Sequence, residues 1–174
     1  AESPYAQLLG VQMQEGDDGL LFVLPYQAHN IGNDGLPALH GGATAAFLET
    51  AAIVELTWAA MWDDLEAGRI MPDPDRPESL PKLPKTIDFT VDYLRSGLAR
   101  DAYARARVNR MGRRYASVHV EAWQDNRARL LAQATGHFLT NSISGAWIGH
   151  FFANQGRWDE VPDHLKEAMK AVFD

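Results

Sequence analysis

The sequence predicts an α+β domain in which an antiparallel β-sheet wraps around one long central helix. Three observations carry that reading. The run from Gly41 to about Glu66 is apolar almost all round, whereas a surface helix keeps a polar face, so this one belongs inside a fold. Two strand-like segments precede it. Four more follow it in succession at hairpin spacing with no helix between them, which gives antiparallel neighbours and not βαβ units.

Each element has its own signal. Pro4–Leu9 reads as a short helix. Gly10–Glu15 alternates, Leu20–Leu24 is apolar, and the Gly16-Asp17-Asp18-Gly19 between them marks a hairpin turn. Residues 26–38 are rich in Asn, Gly, Asp and Pro and read as a loop. The helix that follows is about 39 Å long at 1.5 Å per residue. Residues 68–84 hold five prolines and make an irregular connection. Thr86–Arg95 sets Ile87, Phe89, Val91 and Tyr93 against Asp88, Thr90 and Asp92. Ala102–Met111 alternates small apolar residues with Tyr103, Arg105, Arg107 and Asn109. Gly112-Arg113 turns into a strand over 115–124, and Asp125-Asn126 turns into the last, over 130–140. Residues 1–141 are assigned to this domain. Residues 142–174 are assigned to a C-terminal helical extension with Leu165, Met169, Val172 and Phe173 on one stripe.

Composition narrows the function. A chain of 174 residues is most simply one domain, burying roughly 70% of its unfolded surface. Cysteine is absent, which removes thiol nucleophiles, disulfides and thiolate metal sites. No His pair has metal-ligand spacing, so no metal is expected. Gly-x-Ser-x-Gly and phosphate-binding glycine loops are also missing, which excludes a serine α/β-hydrolase and a nucleotide-loop enzyme. No signal peptide is visible and no uninterrupted apolar stretch is long enough to span a bilayer, so the expectation is a soluble cytoplasmic protein without a membrane partner. Net charge is −7, yet residues 95–129 hold nine arginines and three acids, a local +6 in a remainder of −13. A basic island in an acidic chain argues against nucleic acid and fits a small phosphorylated ligand, or strands with arginine on a solvated face.

The chemistry concentrates at Leu39-His40-Gly41-Gly42-Ala43-Thr44-Ala45-Ala46-Phe47-Leu48-Glu49. A helix start exposes unpaired N–H groups and the positive end of the dipole, and glycine lets a ligand approach that backbone. Glu49 has Gly42, Ala45, Ala46, Ala52, Ile53 and Leu56 as helical neighbours, none able to neutralise it. Glu55 is surrounded as apolarly, so environment alone does not choose between them. Spacing favours Glu49, and it adds a condition. Gly41 and Glu49 stand about 12 Å apart along one helix, too far for both to touch one carbonyl. If both act in one site they come from two chains, which predicts a dimer with interfacial sites.

On these residues the chain resembles the hotdog-fold acyl-CoA thioesterases of the phenylacetic-acid-pathway (PaaI-like) type, with His-Gly-Gly at the start of the central helix and an acid nine residues after the His. Ala132-Gln133-Ala134-Thr135-Gly136 matches the last hairpin of that family, and the likeness covers residues 8–140. It implies hydrolysis of an acyl-CoA to a carboxylic acid and free CoA, with no cofactor. The minimal unit implied is a homodimer, with a dimer of dimers (homotetramer) as a further state. The Gly41 amide would polarise the thioester carbonyl, Glu49 would attack it or activate water, and His40 would orient the turn. Asn33 stands seven residues before His40 where relatives commonly place an Asn at six. Thr86 falls where relatives use Ser or Thr near the attacking water. Gly42, Tyr93, Arg95, Gly112, Arg113 and Arg114 fall at substrate- and CoA-binding positions. Glu in place of the commoner Asp leaves attack and base catalysis both open. Two other readings stand beside it: a hydratase or dehydratase of 3-hydroxyacyl thioesters using His29, and a non-catalytic acyl-CoA binder.

Overall fold

The computed structural model describes residues 4–16, 19–33, 35–66, 84–112 and 114–140. Both the 68–84 connection, save Pro84, and the 142–174 extension lie outside the described residues, as does Arg113. In chain order the elements are α1 (Pro4–Leu9), β1 (Gln12–Gly16), β2 (Gly19–Leu24), a turn of 3₁₀ helix (Ala28–Asn30), β3 (Ile31–Asn33), β4 (Ala38–Leu39), α2 (Gly41–Glu66), β5 (Lys85–Tyr93), β6 (Ala102–Met111), β7 (Tyr115–Trp123) and β8 (Ala132–Leu139). Six strands form one sheet in the order β1-β2-β6-β7-β8-β5, antiparallel throughout.

The sheet holds α2 by dividing large and small side chains between the two layers. On the inner face β6, β7 and β8 present Ala102, Ala104, Ala116, Val118, Val120, Ala122, Ala132 and Ala134, all buried. Those short side chains let the helix come close, and Phe47, Leu48, Val54 and Leu56 fill the space from the helix side. Full burial of one such residue is worth about 1.5–3 kcal/mol. Gly136 completes the pattern: a Cβ there would meet the Phe89 ring at 2.6 Å and the Phe138 ring at 2.7 Å. Its absence lets those two rings meet edge-on over the inner face.

Four expectations are corrected. Residues 26–38 are not all loop: β3 and β4 pair, Ile31 opposite Leu39 and Asn33 opposite Ala38, because the chain must return alongside itself to enter the helix. The long helix is not buried all round, since one sheet covers only one side of it. Gly42, Ala45, Ala46, Glu49 and Ile53 stay partly or fully open along one stripe. Gly41–Trp62 is also, by length and composition, long and apolar enough to cross a membrane, against the expectation that no stretch is; half of it is buried inside the fold, the pattern of a core helix. Finally, the register of β5 slips between Thr86 and Asp88. That bulge leaves Ile87 exposed and turns Thr86 to the same face as Phe89.

Candidate functional site

His40 caps α2. The Thr44 N–H donates to the His40 carbonyl at 3.0 Å, the first turn of the helix. The Gly42 N–H donates to His40 Nδ1 at 3.0 Å, so Nδ1 is the acceptor and a neutral ring carries its proton on Nε2. This bond engages the Gly42 amide. The Gly41 N–H has no acceptor among the described residues, and it points from the positive end of a 26-residue helix. His40 is in turn anchored from outside the helix, its own N–H donating to Asn30 O at 2.8 Å. Gly32 lies against it, where a Cβ would stand 2.9 Å from the ring and 3.0 Å from the His40 Cα.

Tyr93, at the far end of β5, donates its hydroxyl to the Gly41 carbonyl at 2.8 Å. Its ring covers Gly41 at 3.5 Å from where a Cβ would be. The segment after β5 folds back on the same corner: Leu39 N–H donates to Gly97 O at 2.8 Å. Arg95 is exposed here, with its backbone N–H donating to Leu131 O at 3.0 Å.

A second group forms two turns inside α2. Glu49 is partly exposed on the open stripe, and Thr86 donates its hydroxyl to Glu49 Oε1 at 2.8 Å. The β5 bulge makes that contact, since without the slip Thr86 would sit on the opposite face. Thr86 lies opposite Phe138, near the end of β8. At the same end Gly112 and Arg114 close the β6–β7 turn, through Gly112 N–H to Tyr115 O at 2.8 Å and Thr140 N–H to Arg114 O at 3.1 Å.

One chain thus carries two groups of candidate residues at opposite ends of β5. His40, Gly41, Tyr93 and Arg95 lie at one end; Glu49, Thr86, Gly112 and Arg114 lie at the other. Leu131, which receives the Arg95 amide, and Thr140, which donates to Arg114, are nine residues apart across β8, about 30 Å of strand.

Asn33 joins neither group. Its Oδ1 accepts from the Gly35 and Leu36 N–H groups at 2.9 and 3.3 Å, an Asx-type turn that shapes the β3–β4 loop. His29 donates from Nε2 to Leu8 O at 2.8 Å. Among the described residues no group of three metal-ligating side chains occurs. The residue that sequence reasoning passed over is Gly32, a lone glycine in a loop whose close approach to His40 only the fold reveals.

An antiparallel sheet closed over one helix, with a glycine-opened helix start and an acid two turns in, defines the hotdog class. Residues 32–139 match the family described as the acyl-CoA thioesterase N-terminal domain. The chain belongs to that family of thioester hydrolases. Among solved structures, a protein from Chromobacterium violaceum is 37% identical, with 79% of this chain and 82% of that one covered and a TM-score of 0.55. A Bacillus halodurans protein solved with CoA is 24% identical over 78% of this chain and 76% of that one, with a TM-score of 0.56. A phenylacetic acid degradation-related protein of Ralstonia eutropha is 21% identical over 80% and 91%, with a TM-score of 0.57. The last two likenesses are of fold. No curated protein matches the chain.

Proposed function

We propose that the protein hydrolyses acyl-CoA thioesters at two composite sites in a homodimer, each built from the Gly41 end of one subunit and the Glu49 end of its partner. The single observation that carries this is the separation of the half-sites along β5. That strand is the sheet's edge: among the described residues it pairs only with β8, through eight of its nine residues. A long unpaired edge is a template for another strand. If two copies pair their β5 edges antiparallel about a two-fold axis, the Tyr93 end of one comes over the Thr86 end of the other. The open helix stripe of Gly42, Ala45, Ala46 and Glu49 lies on that side, and its small residues admit a thin ligand.

In such a site the Gly41 N–H takes the thioester carbonyl oxygen, aided by the helix dipole. Glu49 of the partner acts as general base: it accepts a proton from water as the water oxygen adds to the carbonyl carbon. Thr86, donating to Oε1, fixes the carboxylate so that its other oxygen faces the water. The tetrahedral intermediate places its negative charge at the Gly41 amide. Collapse breaks the carbon–sulfur bond, and the proton held by Glu49 passes to the departing CoA sulfur. Arg95 of one subunit and Arg114 of the other are then placed to receive the phosphates of CoA.

The test is release of free thiol from a panel of acyl-CoAs by wild type and Glu49→Gln. Losing a positioned charged group lowers kcat by about 10²–10³. Equal hydrolysis by the two proteins would remove Glu49 from the mechanism.

A further inference from the structure

A cavity of about 460 Å³ lies away from both half-sites, against β6. Its volume is within the range of small-molecule sites. It lies where β2 parts from β6: only Phe22–Leu24 of β2 pair with β6, opposite Ala102–Ala104, although β2 starts at Gly19 and β6 continues to Met111. Past Ala104 the strand edge opens, and the cavity takes residues from both of its faces. Ala106 and Val108 of the inner face and Ala59 of α2 give it apolar wall; Arg105 and Arg107 of the outer face, with Arg127 from the β7–β8 turn, give it cations.

One acid enters from the helix. Glu55 lines the cavity, six residues beyond Glu49. That offset is about 9 Å along the axis and roughly 240° around it, so the two carboxyls face different sides of α2. Two strands, β7 and β8, lie between β6 and β5, the strand that carries Thr86, so β6 and β5 stand about 14 Å apart at the usual strand spacing. The cavity is a separate place on the molecule.

We propose that this cavity is a second ligand site, taking a small oxyanion, a carboxylate or a phosphate-type group, between Arg105, Arg107 and Arg127, with the Glu55 carboxyl as a competing internal anion. Arginine forks match both kinds of oxyanion. The apolar wall accommodates a short carbon body behind the charged head. When Glu55 is ionised its negative charge opposes an incoming oxyanion and competes with it for the field of Arg105; when it is protonated that opposition is gone.

The charge environment sets the direction of pH dependence. Burial raises the Glu55 carboxyl to about 7, against the lowering effect of Arg105. Its helical neighbours Ala51, Ala52, Trp58 and Ala59 carry no charge. From β6 it meets Arg105 and Arg107; from β7, His119 and Glu121; from the turn, Arg127. Glu121 stands opposite Arg105 in the register and 3.8 Å from His119, while Arg127 also lies over the Trp123 ring at 5.3 Å. Farther off, α1 and β2 carry no charged residue, β1 carries Glu15, and Asp88 and Asp92 of β5 contact His137 and Gln133.

Sulfate and hexanoate serve as probes, because neither titrates between pH 6 and 8. Titrations followed by backbone amide resonances at low salt are predicted to perturb β6 and β7 around Arg107 and His119. If only the competent, protonated Glu55 form binds, apparent affinity falls about tenfold from pH 6 to pH 8. Glu55→Gln is predicted to bind with no pH dependence, and Arg107→Ala to lose binding while retaining thioester hydrolysis and Tm. Binding of sulfate alone assigns a phosphate-type ligand, binding of hexanoate alone a carboxylate. The proposal is overturned if neither probe binds at the cavity, if affinity is unchanged in Arg107→Ala, or if wild type and Glu55→Gln show the same pH profile.

Discussion

The bond from the Gly42 N–H to His40 Nδ1 decides which amide of the helix start stays without an acceptor among the described residues. His40 spends its ring on the second helical residue, and the first is held from its carbonyl side by Tyr93. Tyr93→Phe isolates the second contact, deleting one hydroxyl and nothing else. It is expected to lower stability by about 0.5–1.5 kcal/mol, seen in a denaturant titration, and to slow hydrolysis as Gly41 loosens. Glu55 gives a prediction of opposite kind. Its carboxyl is raised from 4.5 to about 7, so between those values the folded chain holds a proton that the unfolded chain has lost. Stability is therefore full below about 4.5 and declines as pH rises through about 7. Glu55→Gln removes the ionisation; its Tm is expected to match wild type at about pH 4 and to exceed it at about pH 8. Thermal melts at both values check this, and a wild-type advantage at pH 8 would contradict it. Composition could not rank Glu49 against Glu55, because both sit among alanines and leucines on one helix. Their difference is in what faces them, a threonine hydroxyl in one case and an arginine in the other.

At the scale of elements, β5 carries the most consequence. Its exposed Ile87 and Tyr93 lie on the sheet edge that, among the described residues, is left open beside the helix stripe. A charge at the bulge, as in Ile87→Lys, is a common guard against strand pairing. The variant is expected to elute as a monomer in size-exclusion chromatography with light scattering, and to lose hydrolysis with its circular dichroism unchanged. A dimer of wild-type activity would mean that β5 is not the contact. Most elements were legible from sequence because their periodicities are unambiguous: α2 runs Gly41–Glu66 and β6 runs Ala102–Met111, as the apolar spacing indicates. The bulge at Thr86–Asp88 was not legible. An extra residue in a strand changes which side chains share a face without altering composition, and here it turns Thr86 from the solvent row to Glu49. The β3–β4 pair escaped for a related reason, since three- and two-residue strands carry no period to read.

Across the whole molecule, the fold sets two groups of candidate residues at opposite ends of β5. The helix start supplies a donor, Tyr93 and Arg95 at one end; the acid, its threonine and the Gly112–Arg114 turn stand at the other. The motif spacing already implied a separation, because eight helical residues span about 12 Å. The location of the two ends on one edge strand needed the sheet order, which only pairing registers supply.

A mixing experiment tests the shared site most directly. Gly41→Pro deletes the helix-start N–H at a position where proline is well tolerated, and Glu49→Gln deletes the base. Each homodimer is expected to be inactive. Subunits exchanged in equal amounts should recover about a quarter of wild-type activity, since half of the dimers are then mixed and each mixed dimer has one intact site of two. Recovery at that level supports two subunits per reaction centre; a mixture as inactive as its parents would place Gly41 and Glu49 of one chain in the same site and contradict it.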